Sequence, residues 1–175
     1  LLLSSPLILS AQNYRKHAFE QGGFEMDVPV AWQVKDTFSV DGNEALVAEI
    51  SYLNESEFTY FNSRFIAGSM NTGVTEDLFM ANTANTIRKN WGFTNWAETK
   101  KEKKTSASGQ PYWILDGIGS DAEGAFYALR IRMFFRGSDY MAMISQMSQM
   151  DMYRYDSELT QMTESFRWKT YFIHL

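Results

Sequence analysis

Three apolar runs crowded into residues 112–148 constrain this chain more than any other feature. YWILDGI (112–118), AFYALRIRMFF (125–135) and YMAMISQMS (140–148) are separated only by GSDAEG and RGSD. Breaks that short, rich in Gly, Ser and Asp, join neighbouring strands through hairpins, so the stretch predicts an antiparallel meander. Strand side chains alternate between faces. In the middle run Tyr127, Leu129, Ile131, Met133 and Phe135 therefore share one face, and Arg130 and Arg132 the other.

The rest of the chain extends that sheet and covers it. FEMDVPVAW places Phe24, Met26 and Val28 on one side of a strand that Pro29 stops. ALVAEISYL (45–53) reads as a second strand, entered through the Asp41-Gly42 turn, and FTYFNSRFIAGSM (58–70) as a third, closed by Gly68 and Gly73. Thr75 is placed to cap a helix with Glu76 and Asp77 in its first turn, where acidic groups favour the positive end of the dipole. Met80, Ala84, Ile87 and Trp91 form its apolar stripe, and Gly92 ends it. TNWAETKKEKKTS follows as an extended polar strand running into the turn ASGQP. A closing helix from near Asp151 carries Tyr155, Leu159, Met162 and Phe166 at the same spacing. Residues 12–23 read as a polar, weakly helical linker ending in a Gly pair. Strands, a helix, a meander and a closing helix make an α+β layered domain, an antiparallel β-sheet flanked by helices.

Composition excludes several chemistries. The absence of cysteine removes disulfides, thiolate zinc sites, a cysteine nucleophile and a lipobox cysteine within these residues. A formal charge of −5 without a clustered excess of Lys and Arg argues against nucleic acid as a partner. The opening LLLSSPLILSAQ has the length and character of a signal-peptide apolar region, with LSA as a small-residue cleavage context, and is too short to span a bilayer. With no Met or basic residues ahead of Leu1, the sequence is expected to begin inside a longer precursor. Two readings follow: a cleaved export signal, or an apolar segment packed against a partner. Both place the protein in a cell envelope or an organelle, and an exported protein of the periplasm or cell envelope is the expectation.

Several stretches together resemble the PsbP-like fold family: FEMDVPVAW, the helix end IRKNWGF, the hairpin GQPYWILDG, then LRIRMFFRGSDYMAMI and the closing MTESFRW. The resemblance spans roughly residues 24–168 and implies an α/β/α sandwich. Proteins of this kind include a photosystem extrinsic subunit, a Ran-binding import factor, bacterial envelope proteins and secretion-effector chaperones. They act by binding, so the resemblance implies a non-enzymatic protein without cofactor. The chain departs from the pattern at both ends, with an apolar leader and linker over 1–23 and an apolar tail over 169–175.

Candidate sites divide between chemistry and packing. Five of the ten methionines fall in YMAMISQMSQMDMYRYD (140–156). Thioethers suit Cu(I), but Met141, Met143 and Met147 share one strand face and Met fills irregular core gaps well, so packing is expected and no metal. KKEKK (100–104) fits an acidic partner or anionic lipid, or else the solvated tip of a hairpin, where lysines on an edge strand discourage sheet-to-sheet association. His17 and His174 stand alone near opposite ends, and neither the acidic loops 41–44 and 120–124 nor any nucleophile–base pattern supports a metal or catalytic site. Glu49 and Asp116 interrupt apolar strands and read either as a buried acid pair or as residues exposed on the alternate strand face. Trp96 and Trp113 flank the basic segment and are the tryptophans best placed for a contact. Compact α+β cores leave no place for apolar ends. Leu1, Leu2, Leu3, Leu7, Ile8 and Leu9, with Tyr171, Phe172 and Ile173, are accordingly expected to meet other protein subunits. The expected function is an accessory or structural subunit docking in a multiprotein cell-envelope assembly, secretion systems among the settings. The alternative is a periplasmic ligand- or metal-binding protein.

Overall fold

The computed structural model describes residues 14–55, 59–90 and 93–169. Among these, strands β1 (Tyr14–Phe19), β2 (Phe24–Pro29) and β10 (Arg167–Trp168) form a small antiparallel sheet in the order β1-β2-β10. The larger sheet has seven strands: β3 (Gln33–Asp41), β4 (Glu44–Asn54), β5 (Thr59–Ser69), β6 (Asn95–Thr105), β7 (Pro111–Ser120), β8 (Phe126–Arg136) and β9 (Asp139–Ser148). Its order is β3-β4-β5-β9-β8-β7-β6, antiparallel throughout. One meander runs β3 to β5. Helix α1 (Glu76–Asn90) then carries the chain to the far edge, and the second meander returns from β6 to close against β5, with Phe65 opposite Met143. The Asp41–Glu44 hairpin turns through Gly42 at φ +62°, a conformation that costs glycine nothing and a branched residue a great deal.

Alternation sorts the seven strands into two buried faces. On the first, Met141, Met143 and Met147 pack with Phe61, Phe65 and Phe134 beneath Phe24, Met26 and Val28 of the small sheet. Helix α2 (Asp156–Ser165) lies beside that sheet, with Tyr155, Leu159, Met162 and Phe166 all buried. On the second face Leu129, Ile131, Met133 and Phe135 meet Tyr140, Ala142 and Ile144 beneath Met80 and Phe79 of α1. The fold is thus mostly antiparallel sheet with two helices. A helix covers one face, while the other is shared between α2 and a three-stranded sheet.

Four expectations need correction or restriction. Residues 14–19, read as weakly helical, form β1, because pairing with β2 from Tyr14–Pro29 to Phe19–Phe24 outweighs a weak local preference. The sequence pattern marks no element at 33–41, yet β3 lies there; it is an edge strand exposed on both faces and so lacks alternation. The closing helix begins at Asp156 rather than near Asp151, because residues 149–155 turn first, with Asp151 N–H bonded to Ser148 Oγ. In α1 the Leu78 N–H donates to Thr75 Oγ1 at 3.3 Å and Met80 is buried, while the stripe positions Ala84, Ile87 and Trp91 lie outside the described side chains.

Candidate interaction surface

Strand β6 forms one border of the large sheet: β7 pairs with it on one side, and no described strand lies on the other. A bulge between Glu98 and Lys100 distributes its charges over both faces. Lys100, Glu102 and Lys104 stand opposite Asp116, Ile114 and Tyr112, and Lys101 and Lys103 opposite Leu115 and Trp113. KKEKK is therefore not the tip of a hairpin, which is formed by residues 106–110, but the body of an exposed edge. Lys100 and Lys104 both reach Glu102, at 3.0 and 2.9 Å, and these contacts hold its carboxyl below the usual range, that from Lys104 first.

The two flanking tryptophans sit on the α1 side of the sheet. Trp113 donates its Nε1–H to Glu76 Oε2 at 3.0 Å, and Lys103 reaches the same oxygen at 2.6 Å while lying 5.9 Å over the indole. Partial burial pushes the Glu76 carboxyl upward, but the hydrogen bonds from Lys103 and Trp113 and the Lys103 charge outweigh it, and the net shift is down. This contact pins the first turn of α1 to the β6–β7 hairpin. Trp96 lies on Gly117, where a Cβ would come within 2.2 Å of its Cζ2, and stacks with Phe93 at 5.7 Å. Both indoles are half-buried, and Lys103 lies over that of Trp113.

At the start of β6, Asn95, Trp96, Ala97, Ile118, Ser120 and Phe126 enclose a hollow of about 290 Å³. Phe126 at its rim is 61% exposed. Register places this hollow at the end of the sheet that also carries the cross-strand pair Leu53–Tyr60, both exposed. Met150 and Tyr153 project from the β9–α2 turn at the same end. Sequence reading missed Phe126 because a strand's first residue looks the same in the pattern whether or not anything covers it.

The remaining candidates resolve into packing and ion pairs. Met141, Met143 and Met147 are buried among aromatic rings. Asp116 and Glu49 do not pair: they occupy opposite faces, and each meets arginine. Asp116 and Arg132, each 7% exposed, form a two-pronged pair with Arg132 Nη2 donating to Oδ2 at 3.3 Å. Arg130 on the same face donates to Asp156 and ties β8 to α2. Glu49 takes Arg64 at 3.4 Å and Lys35 at 3.8 Å. His17 sits 3.2 Å from Asp36. Among the described residues no group of three or more His, Asp or Glu side chains is placed to hold a metal, and no helix is long and apolar enough to cross a membrane. Leu1, Leu2, Leu3, Leu7, Ile8, Leu9, Tyr171, Phe172, Ile173 and His174 lie outside the described residues.

No family model and no curated protein matches this sequence. Solved structures do. Cyanobacterial PsbP (CyanoP) from Synechocystis superposes with a TM-score of 0.67 at 13% identity, covering 95% of this chain and 98% of its own. LpqN, involved in cell envelope biogenesis of Mycobacterium tuberculosis, gives 0.59 at 12% identity over 90% and 91% of the two chains. The Saccharomyces cerevisiae Ran-binding protein Mog1p gives 0.56 at 10% identity over 90% and 96%. At such identities the likeness is one of fold, and the fold is PsbP-like.

Proposed function

We propose that this PsbP-like chain is a non-enzymatic docking subunit of a multiprotein cell-envelope assembly, and that it receives an extended acidic segment of a partner protein along β6. The observation that carries this reading is the edge itself, an eleven-residue exposed strand with four lysines in five positions on a chain of net charge −5. An added strand would draw affinity from main-chain hydrogen bonds, and its side chains would supply specificity. Acidic side chains would meet Lys100, Lys101 and Lys104, and an apolar one would enter the hollow beside Phe126. Trp96 and Trp113 flank the track. In the same reading the apolar ends, Leu1–Leu9 and Tyr171–Ile173, make further subunit contacts, and the leader marks export to the periplasm. LpqN, similar in fold, is an envelope-biogenesis protein, which supports the setting.

A titration tests the docking. A synthetic peptide alternating Glu and Val is added to labelled protein, and amide resonances of 95–105 are followed; a Lys-Val peptide serves as control. Docking along β6 shifts those amides with the acidic peptide only, and reversing Lys101 and Lys104 to Glu removes the response. Equal shifts from both peptides, or none, would leave the lysines as a device against sheet-to-sheet association.

A further inference from the structure

A second opening lies between α1 and the sheet, over strands β5, β8 and β9 rather than the β6–β7 edge that Glu76 contacts. It holds about 200 Å³, and its floor is Ile66, Met133, Ala142 and Ile144, all from the second face of the sheet. Phe79, Asn82, Thr83 and Thr86 of α1 form the roof, and Tyr140 and Glu44 the inner end. Tyr140 is buried with its ring laid over Gly68, where a Cβ would come within 2.5 Å of the phenol oxygen. Phe79 holds it from above at 4.7 Å between ring centres.

The charge at this end is one-sided. Tyr140 donates its hydroxyl proton to Glu44 Oε1. Burial, and then the carboxylate beside it, push the phenol pKa up, so Tyr140 stays a neutral donor. Among the described residues no Lys, Arg or His forms an ion pair with Glu44. The described roof side chains include no cation, and two threonines add acceptors. Thr83 donates its hydroxyl to Phe79 O at 2.9 Å and Thr86 to Asn82 O at 3.2 Å, which commits both protons and leaves oxygen lone pairs free. A carboxylate and acceptor oxygens thus stand over an apolar floor.

We propose that this cleft binds a small primary amine with an apolar body, its ammonium on Glu44 and its body on Ile66, Met133 and Ile144. Among the described residues Glu44 has Tyr140 as its hydrogen-bond partner, and a carboxylate holds further acceptor sites. An ammonium brings three donors and no acceptor, the complement of the Glu44 carboxylate and the two threonine oxygens. An alcohol of the same body forfeits the charge, and a carboxylic acid opposes it. The site is separate from the β6 edge, and its occupancy does not depend on the docking reading.

Binding is measured with n-hexylamine, hexan-1-ol and hexanoate at equal concentration and neutral pH, by thermal shift and by amide shifts at Ile66, Met133 and Ala142. The amine is expected to bind most tightly and hexanoate least. Glu44→Gln changes an exposed side chain and should fold normally; it is expected to weaken the amine about tenfold, the value of a charged hydrogen bond, and bring it level with the alcohol. Thr83→Leu, which fills the roof, should weaken amine and alcohol alike. Equal binding by all three probes, or amine binding unchanged in Glu44→Gln, would overturn the proposal and leave the cleft a packing gap.

Discussion

The ring of Phe166 lies parallel to that of Phe134, 3.7 Å apart between centres and tilted by 10°, at the point where α2 hands the chain to β10. Phe166 also stacks on Phe24 at 5.2 Å and meets Trp168 edge-on. One side chain thereby joins the large sheet, the small sheet and the closing helix. Phe166→Ala is expected to cost about 3–5 kcal/mol, the range for a large aromatic removed from a core that relaxes incompletely. Urea denaturation measures it. A loss under about 1 kcal/mol would mean that the two sheets are held together elsewhere.

The methionines on the same face behave as core. Met141→Leu with Met143→Leu keeps volume nearly constant and should cost under about 1.5 kcal/mol per site, with binding of the acidic peptide unchanged. Loss of that binding in a folded double variant would show that the thioethers matter chemically.

The Asp116–Arg132 pair stands differently. Arg132→Met strands a buried carboxylate and should cost about 3–5 kcal/mol, whereas Asp116→Leu with Arg132→Met removes both charges and should recover most of that loss. A double variant as unstable as the single one would mean that the pair itself, and not the stranded charge, supplies the stability.

Acid should release α1 from β6 before the core yields. Glu76 has a folded pKa below its ordinary 4.5, so the stabilisation from Lys103 and Trp113 is complete above that value and lost as the pH falls through the lower, folded one. Both partners are partly exposed, and the amount is about 0.5–1 kcal/mol. Trp113 fluorescence and stability should change together over this range in the wild type. In Glu76→Gln the step should vanish; a step of unchanged size would assign it to another carboxyl.

How far these features were legible depends on how many faces of an element are buried. Tyr155, Leu159, Met162 and Phe166 recur on one side of α2 and announced it, and Leu129, Ile131 and Met133 did the same for β8, since each segment carries its own pattern of burial. Strand β3 has no buried face and β1 is mostly polar, so neither leaves a periodic trace; only their pairing with β4 and β2 makes them strands. The expectation that Trp96 and Trp113 make a contact rests on their position along the chain, whereas the Glu76 and Gly117 contacts that orient them leave no trace there.

Local pattern by itself determined the α+β character of the chain, the faces of its strands and the packing role of Met141, Met143 and Met147, because each follows from which neighbours along the chain share a side. The order of the sheet, the lysines' place on an edge and the opening under α1 were decided by the tertiary structure. They rest on contacts between residues far apart in the chain, such as Phe65 with Met143 and Tyr140 with Glu44. A hydrophobic period says that a residue must be buried; which partner buries it depends on the competition among all the strands that could pair, and that competition is settled only when the whole sheet closes.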